Sequence, residues 1–400
     1  MNALTYALAE GPSGATVTAS GRAVSWTPGE AQSPGVYRIV VRVTDNGTPS
    51  LSATTGFNVT VNEVNRAPVL ASLANRNATE GTPFTFVATA TDADLPANIL
   101  TYSLVGAPAG ATIDAATGAF SWTPGPADVG ARTFSARVAD DGTPSLSSQK
   151  SLTVTVKSRP DLTLTALSTT TTTVGLGATL SASSSVKNLG GSSAGAFATY
   201  FSLSPDGAYG GGDVAFSSVR SISSLASGST STGSTTLTVP ATTTLGTYYL
   251  CAMADGANAM AEANELDNTK CTARTLVIAV PDLRVSAVSS SATRVTRGSK
   301  LSVSNTVAND GPVASNKFAV SFALSPDPAW GGGDAPIGTL RSVSALAAAT
   351  TSAATTSLGI PSSTPIGLYY VCAFADSGAG VAESNEGNNT SCSGSTVEVR

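Results

Sequence analysis

Residues 204–213 read SPDGAYGGGD, and residues 325–334 read SPDPAWGGGD. Each is a glycine-rich loop with two aspartates, a composition suited to holding phosphate, a hard cation or a stacked sugar. A phosphate-binding loop needs Lys-Ser or Lys-Thr after its last glycine, followed by a helix. Asp213 and Asp334 stand there instead, and their negative charge repels phosphate. The first reading is a strand-connecting turn whose aspartates accept hydrogen bonds from nearby backbone N–H groups. A calcium loop on Asp206 and Asp213 is a second reading, and sugar stacking on Tyr209 and Trp330 a third.

Two further oxygen-rich segments are EANELDN at 262–268 and ESNEGNN at 383–389. Side chains of this kind can cap their own turn, and capping is the preferred reading. With Asp255 and Asp376 nearby they also offer oxygen ligands to calcium. Each segment lies between two cysteines, Cys251 and Cys271 in one case and Cys372 and Cys392 in the other. A hairpin centred near residue 261 sets Cys251 opposite Cys271, and the later pair matches it. The even count, the repeated spacing and the lack of histidine favour disulfides over zinc. Buried free thiols are the alternative. Disulfides would place these modules in an oxidising compartment, outside the cytoplasm.

The chain contains no histidine. Ser-His-Asp and Cys-His catalysis and every His-based metal site are therefore excluded. Lys-based and carboxylate-pair chemistries remain, but Glu is scarce and the acids mostly recur in turns at matching repeat positions. No enzyme is expected. The 400 residues are 41% hydrophobic and 12% charged, with a net charge of -5, which suits a folded chain. No cluster of Lys and Arg provides a nucleic-acid footprint. No apolar run reaches the roughly 18 residues of a transmembrane helix. The N-terminal MNALTYALAEGPSG lacks the charged and apolar regions of a secretory signal.

The glycine-rich loops recur at an offset of 121 residues, and other pairs share it. Pro160-Asp161-Leu162 returns as Pro281-Asp282-Leu283, Asn188 as Asn309, and Tyr248-Tyr249 as Tyr369-Tyr370. The first part holds a different repeat: LTYAL at 4–8 and LTYSL at 100–104, SWTPG at 25–29 and 121–125, GTPSLS at 47–52 and 142–147. Four modules of two types follow, at 1–66, 67–158, 159–280 and 281–400. Phe318, Val320, Phe322 and Leu324 alternate with smaller residues, the period of a strand with one buried face. Short strands punctuated by Gly and Pro predict an all-β chain of tandem Ig-like or cadherin-like β-sandwich modules, arranged as beads on a string. The first module is expected to lack its first two strands. About 32 residues separate Pro68 from LTY in the second module, whereas three residues precede LTY in the first. On this expectation the chain is a segment of a longer polypeptide.

The last 240 residues resemble the bacterial cell-adhesion-related domain, CARDB. The resemblance rests on the opening PDL, V-x-N-x-G at 186–190 and 307–311, the F-x-L-S-P-D loop and the E-x-N-E-x-(D/N)-N hairpin. It implies an Ig-like sandwich used in adhesion or as a spacer, with no chemistry of its own. The first two modules resemble the cadherin-like, Putative Ig repeats of large bacterial surface proteins. The residues carrying this are ATDADLPANILTYSL at 90–104, VTDNGTPSLS at 43–52, VADDGTPSLS at 138–147 and the linker VNEVNRAPVL at 61–70.

Cadherins hold calcium at module junctions, so the resemblance implies a calcium site between the first and second modules. Asp92, Asp94 and Asp140 match the module positions of its ligands. Asn62, Glu63 and Asn65 lie where linker ligands stand. The departures are Arg66, a positive charge inside the linker, and the replacement of the D-R-E segment by WTPG. Glu80 resembles the cadherin glutamate that faces the following junction, here carried by KSRPD. The implied function is a non-catalytic adhesion or spacer segment of a bacterial surface or secreted protein, stiffened by calcium at the first junction. Its export signal and any membrane attachment would lie elsewhere. Surface proteins or polysaccharide are the expected partners. Carbohydrate-binding modules, or accessory domains of a larger secreted hydrolase, are the alternative.

Overall fold

Phe318, Val320, Phe322 and Leu324 are 6%, 0%, 2% and 0% exposed, while Ser321 between them lies on the opposite face. The alternation in the sequence is thus the inner face of a sheet. The computed structural model describes residues 1–20 and 23–400. It is built of strands, with two single-turn 3-10 helices at Glu30–Gln32 and Pro126–Asp128. Two units separate, Met1–Arg159 and Pro160–Arg400.

In the first unit, the second module is a two-layer sandwich. One sheet runs in the order Thr101–Val105, Gly130–Ala139, Ser147–Lys157, Arg76–Thr79, the last pair parallel. The other joins Thr112–Ile113, Ala119–Trp122 and Phe84–Val87. Phe120 fills the space between them, stacked on Phe86 at 4.5 Å and on Phe134 at 5.3 Å. Trp122, from the SWTPG repeat, is 1% exposed beside it.

The first module repeats one layer only: Leu4–Glu10, Gly35–Asp45 and Ser52–Val61, in that order. A two-strand ribbon, Thr16–Val17 with Val24–Ser25, covers part of it. The edges that hold Arg76–Thr79 and Phe84–Val87 in the second module have no strand partner here among the described residues. Its core is accordingly thin. Among the described residues Ile39 is its one buried hydrophobic side chain, and Phe57 is 49% exposed.

The second unit holds two sandwiches with separate apolar cores. In each, a three-stranded sheet faces a larger one. Leu162–Ser168, Thr179–Asn188 and Thr230–Thr238 form the smaller sheet, and Leu283–Ser290, Lys300–Asn309 and Thr350–Gly359 form its repeat. Phe197–Ser204, Gly246–Ala254 and Thr269–Ala279 lead the larger sheet. The repeat of Thr269–Ala279 is divided into Thr390–Cys392 and Val397–Val399 around Gly394.

Asn188 explains the V-x-N-x-G and PDL motifs together. Its side chain is fully buried; Oδ1 accepts Asp161 N–H at 3.1 Å and Gly190 N–H at 3.0 Å. Its Nδ2 donates to the carbonyls of Ser192 and Leu225, both at 2.9 Å. Asn309 repeats this with Asp282, Gly311, Val313 and Leu346. A Cβ on Gly311 would lie 2.6 Å from the Asp282 backbone nitrogen, so only glycine permits this approach. The motif is therefore a buried polar knot that ties module entry to the core, with every bond it needs made internally.

Candidate metal centre

The acids of the glycine-rich loops are engaged by their own turns. Asp206 Oδ1 accepts Ala208 N–H and Ser204 Oγ–H, and Asp213 Oδ2 accepts Gly210 N–H and Ser202 Oγ–H. Asp327 and Asp334 cap the later loop through Ala329 and Gly331. These bonds hold the Asp206 carboxyl below its ordinary pKa. Trp330 folds back edge-on against Phe374, with centroids 5.4 Å apart.

The Glu/Asn hairpins are also capped from within. Asp255 takes a left-handed φ of 48° and accepts the N–H groups of Ala259 and Met260; Asp376 does the same for Gly380 and Val381. Glu262 is buried and reaches across to the N–H of Leu162, and Glu383 reaches Leu283 N–H. Each carboxylate also accepts an amide N–H, from Asn268 or Asn389 at 3.0 Å. Burial dominates and pushes both acids up to about 7. Cys251 is bonded to Cys271 and Cys372 to Cys392 across paired strands, with Cα atoms 4.0 and 3.9 Å apart.

The junction of the first two modules is different, because carboxylates from three separate segments converge there with oxygens left unpartnered. Glu30, Glu63 and Asp94 place one oxygen each so that all three lie within 4.8 Å of one another. Asp94 is 2% exposed. Its Oδ2 accepts Arg66 N–H at 2.8 Å and Asn98 Nδ2–H at 3.1 Å, while Oδ1 is buried without a hydrogen-bond partner. Glu63 Oε1 and Asp92 Oδ2 are likewise buried and unpartnered. The Glu63 carboxyl is pushed up by burial first, then by Asp94, Glu30 and Asp92, with Arg66 opposing.

Each of the three acids is carried by its own local element. Glu30 opens the 3-10 turn that follows WTPG. Glu63 follows the strand Ser52–Val61, and Asp94 follows the short strand Ala90–Thr91. The linker is fixed by Asn65, whose Nδ2 donates to Asp140 Oδ1 at 3.0 Å and to Pro144 O at 2.8 Å. Its Oδ1 accepts Asn98 Nδ2–H at 2.8 Å. Asp140 is pushed up by burial, but bonds from Leu146, Asn65 and Gly142 outweigh this and hold it below its ordinary value.

Of the sequence-derived ligands, Glu63 and Asp94 come together directly. Asp92 acts on Glu63 through its field and presents Oδ2, its Oδ1 being bonded to Asp94 N–H. Asp140 lies outside the three-carboxylate group, joined to the linker through Asn65, and its Oδ2 is buried without a partner. Asn62 is exposed. Sequence reasoning missed Glu30, the residue directly after WTPG, which brings a carboxylate to this group. The repeat conceals it, because Pro126 holds that place in the second module. Glu80 is buried and faces Arg159 of KSRPD, Oε1 to Nε 3.7 Å.

The donor set fits a hard divalent cation. Calcium–oxygen distances of about 2.3–2.6 Å allow ligand oxygens of one ion to lie up to roughly 5 Å apart, and the three carboxylate oxygens here all lie within 4.8 Å of one another. Buried, unpartnered carboxylate oxygens are costly, and a bound cation is one way to compensate them.

The CARDB family model matches residues 159–272 and 280–393, and the Putative Ig domain model matches 1–62 and 67–157. No curated protein matches the chain. Among solved structures, the chain is similar to the CARDB domain of the PF1109 protein from Pyrococcus furiosus, described as in complex with di-metal ions. Identity there is 21%, over 30% of this chain and 89% of that one, with a TM-score of 0.23. Mouse Cadherin-23 EC22-24 matches at 15% identity over 69% of this chain and 84% of that one, TM-score 0.35. Human CDH23 EC21-23 matches at 16% over 69% and 88%, TM-score 0.35. Because the CARDB family model matches more than half of its length, the chain belongs to the CARDB family, its two CARDB modules preceded by two Putative Ig modules.

Proposed function

We propose that this chain is a non-catalytic adhesion or spacing segment of an extracellular surface or secreted protein, stiffened by a divalent cation, calcium by its oxygen chemistry, at its first junction. The observation that carries the cation reading is the convergence of Glu30, Glu63 and Asp94 with buried oxygens left unpartnered. One ligand comes from the first module, one from the linker and one from the second module. An ion held by all three would cross-link the modules and restrict their bending. The four cysteines, all in disulfides, support an oxidising location. The absence of histidine and the engagement of the loop aspartates by their own turns support a scaffold role. The partner would be another surface protein or a polysaccharide, met at loop tips, where sandwiches expose variable surface.

The test is thermal unfolding of the full chain in calcium and in chelator, for wild type and for Asp92→Ala/Asp94→Ala. Calcium should raise the transition of the first unit in wild type and leave the variant unmoved. A wild-type melt indifferent to calcium removes the cation from the proposal. Adhesion is read separately, by retention of the chain on immobilised polysaccharide or surface protein.

A further inference from the structure

Arg66 brings a cation of its own to the junction. Its backbone N–H donates to Asp94 Oδ2 at 2.8 Å, which anchors the residue beside the acids. Its guanidinium lies 3.4 Å from Glu30 Oε2. The Arg66 side chain is 62% exposed, so it has room to leave without disturbing the fold, whereas the Glu30 side chain is 26% exposed. The guanidinium and a bound divalent ion would both draw on Glu30. They would also repel one another at this range, a repulsion that the partly buried setting screens less than bulk water does.

We propose that Arg66 is a built-in counter-cation that a divalent ion must displace from Glu30, and that it thereby sets the cation concentration at which the junction locks. The inference rests on the cation reading given above and adds the residue that regulates it. In the ion-free molecule the Arg66–Glu30 pair ties the linker to the first module. On binding, the ion takes over Glu30, and the arginine turns outward to solvent while its backbone bond to Asp94 persists. The pair is a weak clamp, because its guanidinium end is largely in solvent, and a weak clamp can be displaced.

The experiment is calcium titration of the full chain by calorimetry, with terbium luminescence as a second probe. It compares wild type, Arg66→Gln, Glu30→Gln and the double variant. Arg66→Gln keeps the backbone donor to Asp94 and should bind calcium about five- to tenfold more tightly, as expected for removing one nearby positive charge. Glu30→Gln should weaken binding. In that background Arg66→Gln should change affinity much less, since the carboxylate that holds the arginine is gone. Equal affinity of wild type and Arg66→Gln overturns the inference and leaves the cation reading standing. Absence of binding in both overturns the cation reading and this inference with it. Melts of all four proteins in chelator establish that each is folded.

Discussion

Asn388 donates its side-chain amide to Asp282 Oδ1 at 2.9 Å, where the preceding repeat sets Asp267 near Asp161. The two positions are related by the 121-residue offset, so one chain contains both versions of a single contact. In the later copy a donor meets an acceptor. In the earlier copy two carboxylates meet, and Asp161 Oδ1 and Asp267 Oδ1 are buried without partners. Burial, then the charge of Asp267, pushes the Asp161 carboxyl up.

Asp267→Asn should therefore stabilise the third module by about 1 kcal/mol, by replacing a repulsion with a hydrogen bond. Asn388→Asp should destabilise the fourth by a similar amount at neutral pH and less in mild acid. Denaturant unfolding of both variants at pH 5 and pH 8 measures this. A destabilised Asp267→Asn would overturn this reading and show that the bond from Thr163 Oγ1–H to the Asp267 carboxylate outweighs the repulsion.

Stability should fall as pH rises from about 5 to 8. Glu262 and Glu383 are held up to about 7 in the folded chain, mainly by burial, against an ordinary value of 4.5. In that window the folded state holds protons that the unfolded state has released. Their contribution is complete below about 4.5 and lost as pH rises through 7. Asp45, Asp114 and Asp206 are held low and act in the opposite sense, at acid pH only. The measurement is Tm against pH in chelator. Glu262→Gln/Glu383→Gln should flatten the slope between pH 5 and 8, and an unchanged slope would refute the assignment.

Asn188→Ala should cost about 3–4 kcal/mol. It leaves the N–H groups of Asp161 and Gly190 and the carbonyls of Ser192 and Leu225 without their side-chain partner. Asn309→Ala should match it, because the same set recurs in the next module. Urea unfolding monitored by circular dichroism reads both. A loss under 0.5 kcal/mol would mean that water substitutes for the amide.

Reduction should weaken the second unit and spare the first. Each disulfide closes a sequence separation of 20 residues, worth about 3 kcal/mol on the chain-entropy model. Parallel melts with and without reductant, and with Cys251→Ser/Cys271→Ser, should lower one transition and leave the Met1–Arg159 transition in place.

Gly142→Ala should loosen the first junction. A Cβ there would fall 1.9 Å from Asn65 Oδ1, so the asparagine must leave its seat and its bonds to Asp140, Pro144 and Asn98. A loss of about 1–3 kcal/mol from the first unit is expected, together with weaker calcium binding in the titration above. Hydrogen exchange across residues 61–70 would localise the change.

What the sequence determined by itself was whatever local repetition encodes. The strand class follows from side chains alternating with period two, as at Phe318–Leu324, because successive side chains of a strand must point to opposite faces. The modules follow from fixed offsets, and the cysteine pairs from equal spacing about a polar turn. Tertiary structure alone decided which groups of different segments meet. Glu30 joins Glu63 and Asp94 only because a 3-10 turn, a linker and a loop converge where the first module meets the second. Arg66 reads as an intruder in the linker, yet it has a partner 36 positions earlier in the chain. Neither contact leaves a periodic trace, since each depends on sheet curvature and loop paths set by packing across the whole module.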